Sequence, residues 1–142
     1  MANDCTPIFE PGHRVTGHAS VAVTGKCFCA ITADSQAGFG LSGLTPDPLP
    51  VGPIGGDIVV GAPTAAAKGF GVAAYDAPAG GKVTILRSGI VPVTASAAAI
   101  TAGQEVEIAD TTGHVKTLAS GVAVGRAVAS CLASADCPIA LY

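Results

Sequence analysis

The chain has 142 residues, enough for one domain with a buried core, and it is 49% hydrophobic but only 4% aromatic, so that core must be closely packed Val, Ala, Ile and Leu. Charged residues make up 12%, about half the usual share; with a net charge of −3 and seven scattered basic residues, no patch for a phosphate backbone forms and nucleic acid is excluded as a partner. The longest uncharged stretch, residues 88–104, is broken by Gly89, Pro92 and Gly103 and falls short of the ~20 apolar residues that cross a bilayer, so no membrane partner is expected.

Residues 1–14 (MANDCTPIFEPGHR) have neither helical nor strand period, and Pro7 and Pro11 hold Thr6 and Glu10 toward extended backbone. They are expected to form an extended N-terminal arm with one apolar pair, Ile8-Phe9. Such an arm either tucks onto its own domain or docks on a partner's sheet edge. No basic-then-apolar leader is seen, and the protein is expected to be made and folded in a cytoplasm.

Residues 15–142 read as a single β domain. Two β-type runs, 15–24 and 27–32, are separated by Gly25-Lys26, which suits a two-residue hairpin turn. Residues 33–68 read as a long Pro/Gly-rich loop region in which only 57–60 resembles a strand; a loop of that length usually has a function or is mobile. From Gly69 onward, short runs rich in β-branched residues end at Gly, Pro, Asp or Thr, the pattern of antiparallel strands and tight turns.

In 82–87, Val83 and Ile85 oppose Lys82 and Thr84. Ser88-Gly89 suits a bulge, and Pro92, lacking an amide hydrogen, confines 90–94 to a sheet edge or to a position after that bulge. In 104–108, Val106 and Ile108 point one way and Glu105 and Glu107 the other, predicting one dry and one wet face. The turn Asp110-Thr111-Thr112-Gly113 leads into 115–118 as a hairpin, and 138–142 follows a turn at 133–136 as a closing strand. No internal repeat stands out.

Candidate chemistry is sparse. Cys27 and Cys29 share a strand face and, with Cys5, Cys131, Cys137 and His13 or His18, supply enough donors for a thiolate site. The Cys-x2-Cys spacing of zinc sites is missing, so the thiols read as small hydrophobes and neither metal nor cofactor is expected. Cys131 and Cys137 bracket a turn, but a cytoplasmic origin disfavours a disulfide. Glu105 and Glu107 are a same-face carboxylate pair of the kind that cleaves glycosides, placed here on a solvated hairpin face without a sugar cleft. Asp110 and His114 share a turn, yet no Gly-x-Ser-x-Gly elbow exists. Gly69-Phe70-Gly71 and Ala79-Gly80-Gly81-Lys82 imitate parts of nucleotide-binding loops without the helix or the Ser/Thr those need. No catalytic residue is assigned.

The segments CTPIFEPG (5–12), TGHASVAVTGK (16–26), FGVAAYDAPAGGKVTILRSGIVPV (70–93), ITAGQEVEI (100–108) and LASGVAVGRA (118–127) closely resemble the capsid decoration, or cement, proteins of tailed bacteriophages, especially those infecting actinobacteria. The resemblance covers nearly the whole chain and departs at Cys27 and Cys29. It implies an all-β fold, a small β-barrel or β-tulip domain, that assembles as a homotrimer on the outside of the virion head and clamps adjacent major capsid protein subunits.

On that basis the expected function is non-enzymatic. Trimerisation would bury the thinly charged Ala/Val/Gly surface, since interfaces are poor in charge at their centres. The arm, with Pro7, Ile8, Phe9, Glu10 and Pro11 as capsid-binding residues, would pair with or pack on capsid protein, and three arms per trimer would raise effective concentration. The alternative is a virion-surface β module that binds a host glycan or receptor through the 33–68 loop, although no Trp is present to stack on a sugar.

Overall fold

The computed structural model describes residues 14–33 and 58–142. Every regular element among them is a strand: β1 (Arg14–Ala19), β2 (Phe28–Ala33), β3 (Ile58–Gly61), β4 (Gly71–Ala73) and β5 (Lys82–Leu86), then β6 (Ile90–Thr94), β7 (Glu105–Ile108), β8 (Val115–Thr117), β9 (Gly125–Ala127) and β10 (Asp136–Leu141). The first five close into a barrel in the order β1-β3-β2-β4-β5, and the last five form a sheet in the order β6-β10-β9-β7-β8.

These two sheets have one plan. In the first, β5 pairs antiparallel with β1 and β4, β2 pairs antiparallel with β4 and β3, and a parallel β1–β3 seam closes the ring. In the second, β10 pairs with β6 and β9, and β7 pairs with β9 and β8, all antiparallel; the corresponding parallel seam is a single bridge between Ala95 and Val115. The chain therefore repeats a five-stranded unit.

The repeat goes deeper, although none is visible in the sequence. Val23 bridges Ala77 in the first unit, and Ile100 bridges Cys131 in the second. Three residues after each bridge residue stands one with positive φ: Lys26 (63°), Gly80 (81°), Gly103 (85°) and Ser134 (58°). Each donates its N–H to the carbonyl four residues before the opposite bridge residue: Ala73, Ala19, Ala127 and Ser96 respectively. A strand follows every time, and the Ile eight residues after each bridge residue, Ile31, Ile85, Ile108 or Ile139, lies in it.

Side-chain alternation joins the two units. Cys29, Ala73 and Ile85 face the interior of the first barrel with Val60 and Val83, while their neighbours Phe28, Val72 and Leu86 face outward. Those three are buried against Val91, Val106, Ile108, Val115 and Ile139 of the second unit, which makes the second core continuous with the outer wall of the first. Backbone contacts bind the same junction: Phe28 N–H donates to Gly113 O (2.8 Å), Thr94 N–H donates to Lys26 O (2.9 Å), and Lys26 Nζ lies 2.8 Å from Asp136 Oδ2.

Several expectations are met. Strand β5 buries Val83 and Ile85, β6 has β10 as its only strand-ladder neighbour among the described residues with Pro92 opposite Pro138, and β7–β8 is the expected hairpin with Gly113 at φ 88°. The final strand is interior to its sheet, between β6 and β9.

The first expected hairpin is not formed. β1 pairs with β3 and β5, because the segment between it and β2 is drawn away by the Val23–Ala77 bridge and by Asp76, which accepts from Gly25 N–H at 2.8 Å. The turn's positive φ falls on Lys26, where a Gly25-led two-residue hairpin would need it on Gly25.

Candidate functional site

The residues expected to bind capsid, Pro7, Ile8, Phe9, Glu10 and Pro11, lie outside the described residues, as does 34–57 of the loop considered for glycan recognition. The remaining candidates can be placed.

The two glutamates of β7 part company. Glu105 is half-buried and its Oε1 receives Arg126 Nη2 (3.4 Å) and Tyr142 OH (3.1 Å). Glu107, expected on a wet face, is 1% exposed. The loop 118–122 folds over it, and Glu107 Oε2 accepts the successive N–H groups of Ala119 (3.2 Å), Ser120 (3.3 Å) and Gly121 (2.6 Å), while Lys116 Nζ sits 3.2 Å from Oε1. Burial alone would raise its pKa, but the Gly121 and Ala119 N–H groups and Lys116 outweigh it and hold the carboxyl below the usual carboxylate range. This is a structural latch, and a carboxylate so enclosed cannot serve a sugar cleft.

Asp110 is likewise committed to its turn, accepting the N–H and hydroxyl of Thr112. His114 Nδ1 contacts Thr112 Oγ1 at 3.0 Å and lies 3.6 Å from Asp110 Oδ2.

Among the described residues the thiols form no single cluster, although Cys131 lies beside Cys137. Cys29 belongs to the first core and Cys137 to the second. Burial pushes the Cys27 thiol up to about 11 and those of Cys29 and Cys137 to about 12, so all three stay protonated near neutrality and are poor nucleophiles and poor ligands. Gly71, part of the apparent nucleotide fingerprint, is a packing residue: a Cβ there would lie 2.6 Å from Ile85 Cγ2.

Two surface features were not anticipated. One is the end of the second unit, where the Ile100–Cys131 bridge, the Gly103-to-Ala127 and Ser134-to-Ser96 hydrogen bonds, and Ala102 N–H donating to Ser130 Oγ (3.0 Å) bring residues 95–104 against 127–135. Neither segment contains a charged residue. Ala97, Ala98, Ala99, Ala129 and Ala133 are exposed there, with Val128 at 50% and Leu132 at 76%. The uncharged run 88–104 was the signal in the sequence; its partner 127–135 is brought to it by the fold.

The other is a groove of about 160 Å³ at the junction of the two units. Buried Phe28 and Val124 lie at its base, and Lys68, Arg87, Val122 and Tyr142 are exposed around it. The Arg87 guanidinium carbon stands 4.5 Å from the Phe70 ring centroid, and Arg87 Nε donates to Phe70 O at 3.3 Å.

A family model described as phage cement protein matches residues 48–141. No curated protein matches the chain. Among solved structures the chain is similar to the N base of head fibre gp8.5 of bacteriophage phi29, with 13% identity over 92% of this chain and 93% of that one and a TM-score of 0.62. At that identity the likeness is one of fold.

Proposed function

The chain belongs to the phage cement proteins, and from that premise we propose that it binds the outer surface of the phage head as a homotrimer and clamps neighbouring major capsid protein subunits. Its place is the exterior of the virion capsid and its role is mechanical, not catalytic. The observation that carries the trimer is the uncharged end of the second unit, where Val128 and Leu132 stand exposed among alanines. Charge-free apolar surface of this kind suits the centre of an interface, and burying a Leu contributes about 2 kcal/mol per copy. The arm around Ile8-Phe9 supplies the capsid contact, and three arms on one trimer convert weak single contacts into durable attachment.

The test uses expanded shells lacking the protein, mixed with the full chain and sedimented. The wild type is expected to be a trimer that co-sediments with shells. Leu132→Asp should sediment as a monomer and lose most shell binding. Ile8→Asp/Phe9→Asp should remain trimeric and lose shell binding at least tenfold. A monomeric wild type, or an arm variant that binds normally, refutes the corresponding half of the proposal.

A further inference from the structure

Of the four aromatic side chains among the described residues, Phe28, Phe70 and Tyr142 meet in the junction groove. Its volume of about 160 Å³ is close to the ~150 Å³ that accommodates a benzene ring. Lys68 and Arg87 make its rim cationic on a chain whose net charge is −3.

Strand β1 starts at Arg14, whose Cα is in register with Leu86, so the first described residue stands one position from Arg87 on the rim of the groove. Phe9 lies five residues upstream, a reach of at most ~17 Å in extended chain. It is preceded by Ile8 and followed by Glu10, with Asp4 further along: an apolar pair flanked by carboxylates, the complement of an aromatic groove with a cationic rim.

We propose that this groove is the seat of the chain's own Ile8-Phe9 segment while the protein is free of the shell, with Phe9 against Phe28 and Val124 and Glu10 toward Arg87 and Lys68. Seating in cis needs no second molecule, and the short tether keeps the effective concentration of the segment high. The consequence, though not the seat itself, rests on the arm being the capsid contact: the shell must compete the segment out of the groove. A single arm pays that conformational cost on its own, whereas three arms docking together overcome it, so attachment to complete three-fold sites is favoured over adhesion to stray capsid protein.

The test places p-benzoylphenylalanine at position 9 of the full chain, irradiates the free protein and maps the cross-link by mass spectrometry. The expected product has the mass of one chain, joined at 68–71, 122–124 or 141–142, and Arg87→Glu reduces its yield several-fold. Products joining two chains would assign the groove to a second copy and overturn the proposal, as would cross-links elsewhere or a yield indifferent to Arg87→Glu. Shell binding, measured separately, keeps the two readings apart. A groove cross-link with normal shell binding by the Ile8→Asp/Phe9→Asp variant leaves the seat and removes the capsid role, and the reverse pair of results does the opposite.

Discussion

Gly113→Ala is expected to lower the unfolding free energy by roughly 3–4 kcal/mol, read from denaturant unfolding. Two independent costs meet at this residue. Its φ of 88° is one that an L side chain adopts only with strain, worth about 1–2 kcal/mol. A Cβ would also stand 2.2 Å from Phe28 O and 2.7 Å from Phe28 N, and both are backbone atoms in the strand that joins the two units. The turn cannot back away without breaking the hydrogen bond from Phe28 N–H to Gly113 O. Gly103→Ala separates the two terms, because φ there is 85° and nothing lies within 4 Å of the new carbon. It should cost only about 1–2 kcal/mol. Equal losses for the two variants would mean that the junction is not held as described.

The second large effect is at Glu107. Glu107→Leu leaves the N–H groups of Ala119, Ser120 and Gly121 without their acceptor and Lys116 without its carboxylate, and the melting temperature should fall by roughly 10 °C. Glu107→Gln, which keeps an acceptor oxygen but not the charge, should fall between that variant and wild type. The pH dependence follows from the sign of the shift. The folded pKa is lowered from the ordinary 4.5, so the native state favours the ionised form and its contribution is fully present above that value. It is lost as pH falls through the depressed folded pKa. The stability gap between wild type and Glu107→Gln should therefore be constant above pH 5 or so and shrink below about 4.5. A gap that widened on acidification would contradict the latch.

Where the sequence was informative, it was through alternation of β-branched residues: β5, β6, β7 and β10 stand within a residue or two of where Val83/Ile85, Pro92, Val106/Ile108 and Pro138 place them. Strands β4 (Gly71–Ala73) and β9 (Gly125–Ala127) carry no such signal, since three residues rich in Gly and Ala have little β preference and are held by their neighbours. The β1–β2 hairpin does not form because neighbours in the chain need not be neighbours in the sheet, and Val23 finds its partner at Ala77. Glu107 departs from the expected wet face because polarity does not require exposure: a carboxylate offered three N–H groups can be buried.

The repeat stayed hidden for a related reason. What recurs is a backbone conformation, a residue with positive φ three places after a bridge, and Lys26, Gly80, Gly103 and Ser134 fill it with different side chains. The bridge residues themselves are Val, Ala, Ile and Cys. Hydrogen bonding of main chain to main chain preserves the unit, and the one side chain kept at all four places is the Ile eight residues after each bridge residue, too sparse a signal to stand out in the sequence.

The proposed attachment to the outside of a phage head, through self-association and an arm, is open to cryo-electron microscopy of expanded shells reconstructed with and without the protein. Difference density forming three copies around three-fold positions on the outer surface, each with an extended segment reaching onto the capsid protein, is the predicted result. Difference density inside the shell, isolated single copies, or none at saturating protein would contradict it.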